Sequence, residues 1–111
     1  MKSRFLKLSL CLLVTLVFSS MDVMAQKNND WARLGRYANA NKELSVPAKK
    51  ENRVVFMGNS ITEGWVEIRP DFFNENGYIG RGIGGQTSYQ FVVRFRPDVI
   101  NLNPKLVVIN A

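Results

Sequence analysis

The 111 residues contain no histidine. Histidine is the side chain most often used as a general base near neutral pH, so a hydroxyl nucleophile here would need its base from another residue type or from outside this stretch. Cysteine is almost as scarce. Cys11 stands alone, which excludes an intrachain disulfide and any cysteine-rich zinc motif. Long hydrophobic runs are missing too: the most extended apolar stretch, Leu8 to Phe18, is well short of the roughly 20 residues that span a bilayer.

That stretch has the layout of a secretory signal. Lys2, Arg4 and Lys7 precede it, and Val23-Met24-Ala25 offers small or modest side chains where a signal peptidase reads, so cleavage is expected after Ala25 and a secreted or periplasmic location follows. Cys11 lies inside the apolar stretch behind Leu10, not behind the small residue a lipoprotein site would have, and no membrane anchor is expected to remain. Cleavage would leave no cysteine, so stability must come from a core. Three of the fifteen basic residues and one of the nine acids fall in the leader, which leaves a net charge of +4. These charges are interspersed with no long basic run, the pattern of a solvated surface and not of a nucleic-acid-binding face.

Residues 26–52 are expected to form an N-terminal helix and a linker. Asp30 is placed to cap a helix to about Asn41 with Trp31, Leu34 and Tyr37 on one face, and Asn39 to Asn52, with Pro47, reads as a connection. From residue 53 the pattern alternates. Val54 to Met57 is a short unbroken apolar run, as in a strand buried on both faces. Ser60 to about Val66 suggests a helix, and Tyr78-Ile79-Gly80 a strand. Thr87 to about Ile100 suggests a second helix broken near Pro97, and Leu106 to Ile109 a third strand. Strands alternating with helices imply an α/β fold with a parallel sheet. Ligands of such sheets bind outside the carboxyl ends of the strands, where both glycine-containing turns of this chain fall.

The first turn is Gly58-Asn59-Ser60. Gly58 and Asn59 tolerate a sharp turn, which puts Ser60 at a helix N-terminus where free N–H groups favour developing negative charge. Such a serine can attack a carbonyl while its own N–H helps hold the oxyanion. On this stretch alone an N-cap is the stronger reading, since serine is among the commonest cap residues and Glu63 three residues on completes a capping-box pattern. The second turn, Gly80-Arg81-Gly82-Ile83-Gly84-Gly85-Gln86-Thr87, has four glycines in six residues, so backbone must approach something closely. Positions 80, 82 and 85 satisfy the dinucleotide G-x-G-x-x-G pattern, but they follow the second strand, and no acid stands at the end of the third strand to hold a ribose. No Lys follows Gly64 as a phosphate-binding P-loop requires. Thr62 stands where the α/β-hydrolase elbow needs glycine.

An exposed serine after the first strand and a glycine-rich loop after the second remain. Val55-Phe56-Met57-Gly58-Asn59-Ser60-Ile61-Thr62, followed about 25 residues later by Gly82-Ile83-Gly84-Gly85-Gln86-Thr87-Ser88, resembles the first two sequence blocks of the SGNH or GDSL-type esterase and lipase family. Within it, the chain is most similar to bacterial acylhydrolases related to platelet-activating-factor acetylhydrolase, over residues 53–111.

The resemblance implies a three-layer α/β/α fold with a flavodoxin-like parallel sheet, of which three strands would be only a part. By position, Ser60 matches the family's nucleophile and Gly85 its second oxyanion-hole donor beside the Ser60 N–H, with Gly58 and Asn59 as the supporting turn. Asn59 stands where the family usually has Asp. The family hydrolyses acyl or acetyl esters of lipids and carbohydrates without a metal or other cofactor. Its third block, G-x-N-D, and its Asp-x-x-His have no counterpart among these residues, so the expectation is the N-terminal part of a secreted hydrolase that is inactive alone. The alternative is a non-catalytic carbohydrate- or nucleotide-binding α/β module.

Overall fold

The computed structural model describes residues 2–9, 11 and 30–111. The expected leader beyond residue 11, the cleavage point after Ala25 and the loose stretch 26–29 lie outside the described residues. Two compact units divide the chain, Met1–Trp31 and Ala32–Ala111. In the first, residues 2–9 are helical. Among the described residues no helix is long and apolar enough to cross a membrane.

The second unit begins with turns. The helix expected from Asp30 to Asn41 forms only at its end, as α1 (Ala38–Glu43), because residues 31–37 make a series of tight turns in which Arg33 takes the left-handed conformation at φ 55°. Tyr37 is therefore no member of a helical face; its hydroxyl donates to the carbonyl of Gly82.

Three strands follow at the expected places: β1 (Val54–Gly58), β2 (Tyr78–Gly82) and β3 (Leu106–Asn110). All pair in parallel in the order β2-β1-β3, with Val54 opposite Tyr78 on one side and Leu106 on the other. Every residue of β1 is buried, since helices cover both faces of the central strand. On one face Val55 and Met57 pack with Phe91, Val99 and Leu102. On the other, Val54 and Phe56 pack with Phe73. There Phe56 meets Trp65 and Phe73 edge to face, with ring centroids 5.5 and 5.3 Å apart.

The first of these faces is covered by α4 (Ser88–Asp98) and a 3-10 turn (Ile100–Leu102). As expected, α4 starts just after Thr87, whose backbone N–H donates to Gln90 Oε1 at 2.9 Å in a capping box, and it stops one residue past Pro97. The second face is covered by α2 (Ser60–Ile68), two residues longer than expected, and by α3 (Pro70–Asn76). α3 was not among the elements expected from the sequence. Pro70 at its first position and Gly77, left-handed at φ 65° just past its end, are a start and a stop signal that would have located it.

Candidate active site at the ends of β1 and β2

Ser60 is exposed and is the first residue of α2. It is not the cap. Asn59 occupies that position, its Oδ1 accepting the N–H of Ile61 at 3.4 Å. Among the described residues no hydrogen bond engages the Ser60 hydroxyl. The capping-box expectation for Ser60 and Glu63 fails for the same reason: with the cap at Asn59, Glu63 lies one residue too far along. Its carboxylate reaches across to the second loop instead, where Oε2 accepts the N–H of Gly84 at 2.7 Å. Its other oxygen stands 3.5 Å from Arg36 Nη2.

The glycines divide into two kinds. Gly58, Gly80 and Gly82 are places where backbone meets α2. A Cβ at Gly58 would land on the Thr62 hydroxyl and stand 2.8 Å from the carbonyl oxygen of Asn110. At Gly80 it would strike Val66 Cγ2, and at Gly82 the backbone nitrogen of Glu63. Two of the three fingerprint glycines are thereby accounted for by helix packing, with no nucleotide needed. Gly85 is the other kind: it is exposed, has φ 75° and faces open space. Beside it, a Cβ on Gly84 would be 3.7 Å from Ser60 Cβ, so the Gly84-Gly85 turn lies against the serine.

The two loops are tied from beneath. Gly58 O accepts from the Ile83 N–H at 3.0 Å and from Arg94 Nη2 at 3.1 Å. Arg94 is completely buried, as is its ion-pair partner Asp98 at 3.1 Å, and its Nε donates to the side chain of Gln86. Asp98 in turn accepts from Asn41 at 2.7 Å, and Asn41 accepts from Arg81 Nε at 2.8 Å. Among the described residues no buried side-chain nitrogen or oxygen is left without a hydrogen-bond partner, as buried polar networks require.

Two solved structures share this arrangement of elements. One is a Bacteroides fragilis protein described provisionally as an acylhydrolase, 76% identical over 75% of this chain with a TM-score of 0.74. The other is a GDSL-like lipase of Bacteroides thetaiotaomicron, 70% identical over 74% of this chain with a TM-score of 0.73. The chain belongs to the SGNH/GDSL esterase family. It spans 40% of the length of each of these relatives. No family model and no curated protein matches it. The parallel sheet with helices on both faces is accordingly part of an SGNH/GDSL α/β fold.

Within this SGNH/GDSL frame, a cavity of about 520 Å³ opens along β2 among Arg36, Tyr37, Glu63, Val66, Tyr78 and Arg81. Neither Ser60 nor Gly85 lines it. Burial holds the Tyr37 phenol above its ordinary value, and burial likewise lowers that of Arg81. The Arg81 guanidinium lies 4.7 Å from the centre of the Tyr37 ring. Among the described residues no cluster of His, Cys, Asp or Glu could hold a metal ion. Neither the loop contact of Glu63 nor the contacts of Gln86 and Arg94 beneath the two turns were expected from the sequence. The one cue for Arg94 was its spacing four residues before Asp98, which usually marks an exposed helix pair.

Proposed function

We propose that Ser60 is the nucleophile of a serine ester hydrolase. Its Oγ attacks the carbonyl carbon of an acyl or acetyl ester, and the hydroxyl proton passes to a base. The backbone N–H groups of Ser60 and Gly85 hold the resulting oxyanion. Collapse expels the alcohol and leaves an acyl group on Ser60, which water then removes. The observation that carries this reading is the exposed Ser60 hydroxyl at the start of α2, which no hydrogen bond among the described residues engages, with capping performed by Asn59 and the Gly84-Gly85 turn against it.

The substrate class is a small-molecule, glycan or lipid ester. We propose export through the N-terminal leader, with cleavage after Ala25, to a secreted or periplasmic location. A serine hydroxyl is a weak nucleophile without an adjacent base, and no histidine is present. The 111 residues alone are therefore expected to hydrolyse nothing measurable, the base coming from the remaining length that the relatives have.

The test is fluorophosphonate labelling together with p-nitrophenyl acetate hydrolysis by a form of family length. Labelling and turnover that vanish in Ser60→Ala are expected. A form that does neither, or a Ser60→Ala variant that reacts equally well, removes Ser60 from the chemistry.

A further inference from the structure

The Arg94 guanidinium joins the two halves of the candidate site. One nitrogen holds the carbonyl of Gly58, two residues before Ser60, at 3.1 Å. A second donates to the side chain of Gln86, the residue immediately after Gly85. The third is anchored 3.1 Å from Asp98, one turn further along α4. The planar fork fixes these donor directions relative to one another, which a lysine ammonium cannot do. Arg94 and Asp98 are completely buried and Gln86 nearly so, where misplacement is not relieved by water. Gln86 is itself pinned on its other side, its Nε2 donating to the Ala32 carbonyl at 2.7 Å.

We propose that Arg94 is a positioning residue that sets the spacing between the Ser60 and Gly85 N–H groups, with Gln86 as its arm to the second loop. The inference rests on the reading of those two N–H groups as the oxyanion donors. A buried ion pair is in general a weak source of stability, and an apolar pair of similar volume often serves as well or better. Here the pair is placed where it can transmit geometry: Asp98 orients Arg94, and Arg94 orients the Gly58 carbonyl and the Gln86 side chain. A displacement of about 1 Å at a reacting centre is enough to lower a rate about 100-fold.

Two measurements test it. In the chain as it stands, Arg94→Lys is expected to speed amide exchange at Ile83, whose N–H shares the Gly58 carbonyl, about 10-fold more than at Met57 in the core of β1. Equal acceleration at both would overturn the proposal and leave Arg94 a general stabiliser. In a family-length form, Arg94→Lys is expected to lower kcat for p-nitrophenyl acetate about 10- to 100-fold with KM within about twofold. Unchanged kcat in a folded variant also overturns it.

If Arg94→Lys does not fold, Gln86→Leu makes the same comparison with the ion pair intact. A wild type without Ser60-dependent turnover would refute the nucleophile reading, and the exchange comparison would then decide by itself whether Arg94 ties the loops.

Discussion

Glu63 on α2 accepts the backbone N–H of Gly84 at 2.7 Å, across the gap between the loop after β1 and the loop after β2. The carboxylate expected to close a capping box on its own helix thus fastens the second loop next to Ser60. Glu63→Ala is expected to cost about 1 kcal/mol, the worth of a typical hydrogen bond. Glu63→Gln, which keeps the acceptor, is expected to recover most of it, because the ion pair with Arg36 is partly exposed and contributes little. Urea unfolding of the three proteins measures both effects, and equal losses in the two variants would assign the stability to charge instead.

The start of α2 is capped by Asn59 and not by Ser60. Asn59→Ala is expected to destabilise by about 1 kcal/mol through loss of the cap. Ser60→Ala, at an exposed position that makes no hydrogen bond to the described residues, is expected to stay within about 0.5 kcal/mol of wild type. Thermal unfolding of both variants would show it, and a larger loss in Ser60→Ala would return the cap to the serine.

The glycines of α2 and β2 should respond in opposite directions. At Gly64 an added Cβ meets nothing within 4 Å, so Gly64→Ala is expected to stabilise the helix by about 0.5–1 kcal/mol. Gly82→Ala would drive its methyl into the backbone of Glu63 and is expected to destabilise by about 1–3 kcal/mol or more. Denaturation midpoints that move the same way in both would contradict the packing account.

Tyr37 should make stability fall at alkaline pH. Burial raises its phenol above the ordinary value of 10.0, so the folded state favours the neutral form. The resulting stabilisation is fully present below pH 10 and is lost as pH rises through the folded value, when the donor to Gly82 O also disappears. Relative to wild type, Tyr37→Phe is therefore expected to show a shallower decline above pH 10, read by chemical denaturation at a series of pH values. Identical slopes would exclude Tyr37 as the source.

β1 and β3 were legible because each is a compact apolar run with no competing helical period, whereas β2, which contains Gly80, Arg81 and Gly82, was legible only over Tyr78-Ile79-Gly80. The start of α4 was legible through Thr87. Residues 31–37 were misread because Trp31, Leu34 and Tyr37 have helical spacing, whereas the chain spends Tyr37 on a hydrogen bond to β2 and turns at Arg33. At the site, Ser60 and Gly85 could be singled out because a resemblance and a turn chemistry both marked them. Arg94 could not. Its burial depends on the convergence of Gly58, Gln86 and Asp98 from three segments, and four-residue spacing to an acid says nothing of that.

The order β2-β1-β3 has a consequence for the chain as it leaves the ribosome. Val54 finds one partner at Tyr78 and the other only at Leu106. At about 5–20 residues per second, synthesis from Val54 to Leu106 takes roughly 3–10 s. For that interval the apolar strand leading to Ser60 has an open edge, and parallel pairing across so long a loop is slow to form. The segment that delivers the candidate nucleophile is thus also one whose open edge can pair with another nascent chain until β3 arrives.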